Sequence, residues 1–262
     1  MINNATRQKL DRGEVVFGTF FKFASPNLVE MIGLAGFDFV IIDAEHANFS
    51  HPMIEEMIRA AQLVGMSSIV RTPDAGEANI LHALDSGASG VQIPSLTTAE
   101  GVREVVRHSK YHPIGTRGWA PGCRAGDYAF TPAANYVEQA NRDTLVVVHV
   151  ENAAMVDEVE ALCAVDHLDV LFLGTGDLSQ SLGHPGNPKH PDVLKAVDHV
   201  IETCNRDGKH IGAVASSRAD LEAYVARGVR YIAWQSDLVM YKNSLKSAVE
   251  GFASYRRSPT ES

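Results

Sequence analysis

Ionisable residues stand at the ends of several short apolar runs in this chain. The second run leads into Asp43-Ala44-Glu45-His46, and the third is followed by Arg71. The fifth run carries His149 and is followed by Glu151, while the sixth leads into Gly174-Thr175-Gly176-Asp177. Charged side chains at the ends of buried segments are costly unless they pair or bind a ligand. These residues are therefore the first candidates for a functional site.

Glu151 and Asp177 follow consecutive apolar runs, so their carboxylates are expected to converge. Two carboxylates without a neighbouring Cys/His cluster suit a hard, oxygen-loving cation such as Mg2+ or Mn2+. The alternative is that each carboxylate caps a local helix or pairs with a nearby arginine. The pattern alone leaves both interpretations open.

The acidic pair before His46 indicates acid–base chemistry. Asp43 could orient the imidazole of His46 as a general base, although a histidine at a loop start is also an ordinary surface residue. Arg71 offers a planar cationic fork that suits an enolate or carboxylate oxygen. A salt bridge from Arg71 to Glu45 or Asp74 is the structural alternative.

Two further features carry weaker signals. The Gly174-Thr175-Gly176 turn could present backbone N–H groups to a carboxylate at the start of a helix. Lys22 lies just past the first apolar run, where a Schiff-base lysine is conceivable and a solvated rim lysine is the simpler interpretation.

The apolar runs that precede these residues have the character of buried strands. Runs such as Val146-Val147-Val148 are apolar on both faces, as strands covered on both sides must be. The eight predicted strands are Val16–Phe21, Phe37–Ile42, Ser68–Val70, Gly90–Ile93, Leu145–Val150, Leu168–Leu173, Ile211–Ala215 and Tyr231–Trp234.

Segments of helical period lie between the predicted strands, and four of them end in a glycine that suits the left-handed position past a helix. These glycines are Gly36, Gly87, Gly208 and Gly228. The predicted helices are Pro26–Ala35, Pro52–Val64, Gly76–Ser86, Ala99–His108, Ala154–Cys163, Asp192–Asp207 and Ala219–Ala226.

Alternating strands and helices form either a doubly wound sheet or a closed barrel. The first strand is followed by no glycine-rich phosphate turn, since residues 18–23 read Gly-Thr-Phe-Phe-Lys-Phe. Eight units favour a single-domain (β/α)8 TIM barrel over residues 1–262, in which catalytic residues lie at the carboxyl ends of the strands. Residues 238–256 are expected to form a terminal helix with apolar residues for packing on a partner subunit.

Composition restricts the class of protein. The chain has 262 residues, 45% hydrophobic and 21% charged, which is typical of a globular protein. A net charge of −9 without a Lys/Arg cluster argues against a nucleic-acid partner. No apolar run reaches the roughly 18 residues that a membrane span needs. A polar N-terminus and three cysteines without a CxxC pair predict a cytoplasmic location.

Taken together, several segments resemble the pyruvate-dependent class II aldolases of the HpcH/HpaI type, whose namesakes cleave 4-hydroxy-2-oxoheptanedioate. The resemblance extends over nearly the whole chain. The segments that carry it are Ala35–Asp38, Ile42–His46, Val70–Arg71, Leu84–Ala88, Tyr111–Gly118, Val150–Glu151 and Gly174–Ser179.

This resemblance implies roles for the candidate residues. Glu151 and Asp177 would be the ligands of a divalent ion (Mg2+, Mn2+ or Co2+). Arg71 would steady the oxo or enolate oxygen, and His46 would move the proton, directly or through a metal-bound water. The turn around Thr175 and Gly176 would hold the pyruvate carboxylate through the amides of Gly176 and Asp177.

The resemblance also implies an oligomer. Family members assemble mostly as hexamers, trimers of dimers with exchanged C-terminal helices. The aspartate that matches Asp85 reaches the catalytic histidine from a neighbouring subunit, with Asp43 close by. One departure is His149, which stands where many members carry glutamine and could be a further ligand or hydrogen-bond partner in substrate binding.

The expected function is reversible cleavage of a 4-hydroxy-2-oxo acid into pyruvate and an aldehyde, with oxaloacetate decarboxylation as a side reaction. One alternative is a lyase acting on an acyl-CoA thioester, like the citrate lyase β chains that share this barrel, but no basic cluster is present for the CoA phosphates. A Schiff-base aldolase using Lys22 is another. A barrel that merely binds an oxo acid or serves in assembly is the non-enzymatic alternative.

Overall fold

Eight parallel strands close into a barrel in which each strand pairs with its neighbours in the chain and the last pairs with the first. The computed structural model describes residues 4–252 and residue 255. The strands are Val16–Phe21 (β1), Phe39–Asp43 (β2), Ser67–Arg71 (β3), Gly90–Ile93 (β4), Leu145–Val150 (β5), Val170–Leu173 (β6), His210–Ala215 (β7) and Tyr231–Ser236 (β8).

Helices connect the strands and surround the barrel, and a 3-10 helix, Arg124–Ala129, lies on the long connection between β4 and β5. The α-helices are Ala5–Asp11 (α1), Pro26–Leu34 (α2), His51–Leu63 (α3), Glu77–Asp85 (α4), Ala99–Ser109 (α5), Ala133–Asp143 (α6), Ala153–Asp157 (α7), Val159–Cys163 (α8), Thr175–Ser181 (α9), Pro191–Asp207 (α10), Arg218–Ala226 (α11) and Asp237–Phe252 (α12).

The predicted TIM-barrel fold is confirmed, and the differences lie in element ends and short helices. β2 and β3 continue past their apolar residues to Asp43 and Arg71, which face each other in the ladder. The predicted helix Ala154–Cys163 is divided into α7 and α8 at Glu158. Helices α1, α6 and α9 were not predicted from the sequence. Residues 253, 254 and 256 of the predicted terminal helix lie outside the described residues.

The four predicted helix-ending glycines all have positive φ, from 71° at Gly208 to 98° at Gly36. A residue with a side chain is strained in this region of φ, so glycine is favoured where a helix turns toward the next strand. None of the helices in the described part of the chain combines the length and apolar character needed to cross a membrane.

Aromatic rings fill the inside of the barrel. Phe39 and Tyr231 stack with ring centroids 4.1 Å apart, and Phe172 meets Tyr231 edge-on at 6.0 Å. Two strand glycines make room for these rings, because a Cβ at Gly18 would overlap Phe39 and one at Gly212 would overlap Phe172. The interior is therefore a packed layer that supports the strand ends above it.

The end of the barrel at the N-termini of the strands is closed by α1. Leu10 is buried among the interior residues, and Asn4 donates its side-chain amide to the carbonyls of Ser89 and Asp143. Arg7 forms an ion pair with Asp169 at 2.8 Å. The opposite end, at the carboxyl termini of the strands, holds the cavity described below.

Packing inside the barrel can be tested at Gly212. Its Cβ in an alanine variant would lie 2.5 Å from Phe172 Cδ2 and 2.9 Å from Tyr231 Cδ1. Overpacking of this kind costs about 1–3 kcal/mol, so Gly212→Ala should unfold at a lower denaturant concentration than the wild type. Gly122→Ala is the matched control, because its Cβ would have no neighbour within 4 Å. Equal midpoints for the two variants would contradict the packing described here.

Candidate active site

A cavity of about 600 Å3 opens at the carboxyl ends of the strands. Residues at the ends of β1, β3, β5, β6, β7 and β8 line it, together with residues of α9 and α12. The structure brings together here most of the residues that the sequence analysis selected, namely His46, Arg71, His149, Glu151, Thr175, Gly176 and Asp177.

Arg71 is held by two carboxylates beneath the cavity. Its Nε and one terminal nitrogen donate to the two oxygens of Asp43 at 2.9 and 2.6 Å, and its other terminal nitrogen lies 2.9 Å from Glu45 Oε2. The guanidinium also lies over the ring of Phe20 at 4.9 Å. The Glu45 pair proposed from the sequence is present, whereas Asp74 instead accepts the backbone N–H of the local turn.

Asp43 is fully buried and contacts every other member of the cluster formed by Lys22, Glu45, His46 and Arg71. Besides Arg71, it accepts the backbone N–H groups of Glu45 and His46 at 3.2 and 3.1 Å and lies 3.2 Å from Lys22 Nζ. Burial alone would raise the pKa of the Asp43 carboxyl, but the hydrogen bonds and charge of Arg71, the His46 amide and the charge of Lys22 hold it below its usual value. Asp43 is therefore ionised at neutral pH.

The expectation that Asp43 orients the imidazole of His46 is wrong. Asp43 binds the backbone of that loop, because its oxygens are already turned toward Arg71 and the amides. Glu45 is the carboxylate beside the ring, with Oε2 at 3.6 Å from His46 Nε2. Burial and the negative charge of Glu151 raise the pKa of Glu45, against the opposing charges of Arg71 and His46. The His46 side chain is 55% exposed, so it lies at the mouth of the cavity.

Glu151 is held in one position by two groups. Its Oε1 accepts the backbone N–H of Ser95 at 2.6 Å, and its Oε2 lies 2.6 Å from His149 Nδ1. Burial would raise the pKa of Glu151, but the His149 hydrogen bond and charge, the Ser95 amide and the charge of Arg71 lower it overall. Glu151 is therefore a preorganised carboxylate that is ionised at neutral pH.

His149 belongs to a buried chain of polar groups that the sequence analysis did not anticipate. Its Nε2 lies 2.7 Å from the amide nitrogen of Gln92, whose oxygen lies 3.5 Å from the hydroxyl of Tyr231. With the Gln92 amide donating to Nε2, the proton of a neutral imidazole is on Nδ1 and is donated to Glu151. The ring also stacks on Phe172 at 5.1 Å. Gln92 and Ser95 are thus supporting residues for Glu151.

The position of the Glu151 side chain requires a glycine at residue 174. A Cβ at this residue would lie 2.6 Å from Glu151 Cβ and 2.9 Å from its Oε2. From the sequence, the glycines of this turn were expected only to present amide donors, yet Gly174 also provides the space in which Glu151 lies. Ser95 adds a second constraint, since its φ of 59° is rare for a residue with a side chain and directs its N–H to Glu151.

Asp177 lies in the first turn of α9 and faces the same cavity as Glu151. Within the described chain, its carboxylate has no hydrogen-bond or ion-pair partner. The backbone N–H groups of Thr175, Gly176 and Asp177 belong to the first turn, which has no partners inside the helix. An unpaired carboxylate and free amides therefore lie side by side at the cavity wall.

The two sides of the cavity differ in charge. Arg71 and Lys22 balance the carboxylates that they contact, whereas no lysine or arginine of the described chain forms an ion pair with Glu151 or Asp177. Carboxylate oxygens that face an open cavity and form no ion pair with a lysine or arginine suit a hard divalent ion, whose preferred ligands are carboxylates and water. The residues present therefore fit the predicted metal site.

Asp85 does not line this cavity in its own subunit. Its carboxylate pairs with Arg117 at 2.8 Å, and Arg117 is buried beneath Tyr111, 4.6 Å from the ring centroid. Arg117 also donates to the Tyr136 hydroxyl at 3.3 Å. The role of Asp85 at a neighbouring subunit's histidine stays a prediction.

A second group of possible metal ligands, outside the barrel mouth, lies on the loop before α10 and in the first turn of that helix. His184 Nε2 and His190 Nδ1 lie 3.0 and 3.5 Å from Asp192 Oδ2. His190 Nδ1 also accepts the backbone N–H of Asp192 and so caps α10. Capping of α10 therefore explains why these three side chains lie together.

Comparison with known proteins agrees with this geometry. Residues 16–244 match the family model described as HpcH/HpaI aldolase/citrate lyase. A 5-keto-4-deoxy-D-glucarate aldolase of Klebsiella pneumoniae subsp. pneumoniae is 31% identical over 249 residues, 95% of this chain and 96% of that protein. A 2-dehydro-3,6-dideoxy-6-sulfogluconate aldolase of Pseudomonas putida is 34% identical over 245 residues, 92% of this chain and 95% of that protein.

The same agreement is found among solved structures. The crystal structure of an HpcH/HpaI aldolase from Desulfitobacterium hafniense DCB-2 superposes with a TM-score of 0.90 at 29% identity, covering 97% of both chains. The matches cover nearly the whole chain, and the relatives are named as aldolases, which confirms the resemblance and the expectation of a lyase. The chain belongs to the HpcH/HpaI aldolase/citrate lyase family of enzymes.

Proposed function

We propose that this enzyme is a divalent-metal-dependent aldolase that reversibly cleaves a 4-hydroxy-2-oxo acid into pyruvate and an aldehyde. The observation that carries the proposal is the pair Glu151 and Asp177, two carboxylates that form no ion pair with a lysine or arginine of the described chain and face the same cavity as the buried Arg71. The similarity to two aldolases named for acidic sugar derivatives supports the same reaction class.

Glu151 and Asp177 would hold the ion. A divalent cation bound there would supply positive charge that withdraws electron density from the oxo group of a 2-oxo acid. The N–H groups of Thr175, Gly176 and Asp177 at the start of α9 would hold the carboxylate of the same molecule. Donor substrate and ion would thus share one side of the barrel mouth.

Arg71 would stabilise the negative charge that develops on the oxo oxygen. Two of its five N–H groups are donated to Asp43, and the other terminal nitrogen forms an ion pair with Glu45, so both terminal nitrogens keep hydrogens that can be donated to substrate. Because two carboxylates fix the guanidinium before substrate arrives, little reorganisation is needed during the reaction.

His46 would carry the proton. In the cleavage direction a base takes the proton of the C4 hydroxyl, the C3–C4 bond breaks, and its electron pair forms the enolate of pyruvate. That enolate then takes a proton at C3. The His46 ring lies at the cavity mouth beside Glu45, where it can accept the first proton and return the second.

We also propose a homo-oligomer, a hexamer by resemblance, in which α12 packs on a neighbouring subunit. In the described chain this helix exposes a series of large apolar side chains, and Asp85 lies outside its own subunit's cavity. The exposed apolar residues of α12 are Leu238, Tyr241, Leu245, Val249 and Phe252.

A lyase acting on a CoA thioester is less well supported. The phosphates of CoA need several cationic side chains, but the lysine and arginine residues lining the described cavity are Lys22 and Arg71. Both already form ion pairs with Asp43. The cavity therefore favours a small 2-oxo acid.

Metal dependence is the first test of this proposal. Chelation should abolish aldol cleavage, and Mg2+, Mn2+ or Co2+ should restore it. Gly174→Ala should weaken Mn2+ binding by about 10- to 100-fold, the usual effect of disturbing a ligand's support, because the added methyl group displaces Glu151. Gly176→Ala, whose Cβ has no neighbour within 4 Å, should retain Mn2+ affinity in the same calorimetric titration. Full activity in metal-free protein would contradict the assignment.

The roles of Arg71 and His46 can be separated by two reactions. Arg71→Lys keeps the charge but loses the planar fork, so kcat/KM should fall by about a hundredfold in aldol cleavage and in oxaloacetate decarboxylation. His46→Ala should slow cleavage and exchange of the pyruvate methyl protons by roughly a hundredfold to ten-thousandfold. Decarboxylation produces the enolate without removing a methyl proton and should be affected much less by His46→Ala. Equal losses in decarboxylation and proton exchange would show that His46 only positions substrate.

The subunit contribution can be tested by mixing two inactive variants. Asp85→Ala lacks the residue proposed to act in the neighbouring site, and His46→Ala lacks the base. After mild dissociation and reassembly, mixed oligomers should recover part of the wild-type activity because some sites receive both residues. A fully active monomer in sedimentation at assay concentration would rule out the shared site.

A further inference from the structure

Two buried thiols lie in contact in the helical layer around the barrel. Cys163 is the last residue of α8 and Cys204 lies near the end of α10, and their Sγ atoms are 3.7 Å apart although 41 residues separate them in the chain. Both are free cysteines in this structure. Their helices end where β6 and β7 begin, so the pair lies toward the end of the barrel opposite the cavity and outside the reaction proposed above.

The backbone around the two thiols is held on both sides. Helices α8 and α10 pack against each other, and both cysteines belong to the apolar layer between the helices and the strands. Lys209, two residues past α10, donates through its Nζ to the carbonyls of Val165 and Leu168 at 3.0 and 2.8 Å. The connection after α10 is thus tied to the connection after α8, which keeps Cys163 and Cys204 facing each other.

The distance between the sulfurs can be closed by the side chains alone. A disulfide bond of about 2.0 Å requires the two Sγ atoms to approach by about 1.7 Å from their present 3.7 Å. Rotation of the two side chains about their Cα–Cβ bonds supplies a movement of that size. The packed helices therefore do not have to separate for the bond to form.

The two thiols differ in access and in acidity. Cys163 is 9% exposed, whereas Cys204 is fully buried. The hydrogen bond between them lowers the pKa of Cys163, against burial and the charge of Asp207, and the same hydrogen bond together with burial raises the pKa of Cys204. Because the thiolate is the reactive form, an oxidant reacts first with Cys163, and Cys204 is placed to react second.

We propose that Cys163 and Cys204 form a peroxide-sensitive dithiol site, whose oxidation to a disulfide crosslinks α8 to α10. The Cys163 thiolate attacks hydrogen peroxide, so that an S–O bond forms, the O–O bond breaks and the departing oxygen takes a proton and leaves as water. The Cys204 sulfur then attacks the sulfur of the Cys163 sulfenic acid, and the S–O bond breaks as the S–S bond forms. The hydroxyl group leaves with the Cys204 proton as a second water. Two electrons pass from the sulfurs to the peroxide.

The crosslink would enclose a functional part of the chain. The segment between the two cysteines contains β6 and α9, and so it includes Gly174 and the proposed metal ligand Asp177. Closing a loop of 41 residues restricts the unfolded chain, which stabilises the folded state. Oxidation would therefore strengthen the attachment of this segment to the barrel, from the end opposite the cavity.

The test uses the full chain carrying Cys123→Ser, because the third cysteine is half-buried and lies on the β4–β5 connection. After chelation of metal ions, stoichiometric hydrogen peroxide should remove both remaining thiols from titration in denaturant. A non-reducing peptide map should show the Cys163 and Cys204 peptides joined. The midpoint of thermal unfolding should rise by about 5–15 °C. Dithiothreitol should reverse all three changes, since it does not repair oxidised methionine.

Cys163→Ala and Cys204→Ala in the same background are the matched controls. Each keeps a single thiol, so peroxide should give neither the joined peptides nor a rise in the unfolding midpoint. If either variant fails to fold, the peptide map of the Cys123→Ser protein still decides whether the bond forms. None of these measurements depends on aldolase activity, so their outcome is independent of the proposed function.

Three results would overturn the inference. Both thiols could survive a peroxide treatment that oxidises the methionines of the same protein. Cys163 could instead proceed to the sulfinic acid while Cys204 remains a thiol, which would show that the second sulfur does not reach the first. A crosslink that forms without raising the unfolding midpoint would refute the stabilising role.

Discussion

The ion pair between Asp43 and Arg71 is the interaction on which the rest of the site depends. The two residues face each other at the ends of β2 and β3, where the strands still pair in register. Leaving one member of a buried pair without its partner typically costs about 3–5 kcal/mol, so each residue fixes the other. Through its remaining contacts Asp43 also positions the backbone of His46 and the ammonium of Lys22.

The β5–β6 side of the mouth follows the opposite arrangement. Glu151 is held by the Ser95 amide and His149, while Asp177 has no partner in the described chain. Charge is therefore balanced on one side of the cavity and left negative on the other. That asymmetry favours a cation beside Glu151.

The barrel could be predicted because its signals are local: short runs apolar on both faces, each followed by a helix and often a glycine. The ends of β2 and β3 were placed too early because Asp43 and Arg71 are polar, and only their mutual pairing allows them to remain in the sheet. The spacing in the sequence also placed Asp43 near His46. It could not show that Asp43 accepts the backbone N–H of His46 and does not contact its ring. The support of Glu151 by Gln92 and Ser95 depends on contacts between strands, which one sequence does not reveal.

The central claim is that Glu151 and Asp177 together bind the divalent ion. The most direct measurement is an anomalous difference map from crystals of the full chain grown with Mn2+. We expect one strong peak in contact with a carboxylate oxygen of Glu151 and one of Asp177, and we expect Asp177→Asn to remove that peak. A peak at His184, His190 and Asp192 instead would contradict the assignment of the metal ligands. Aldolase activity in crystals that hold no ion between Glu151 and Asp177 would contradict it as well.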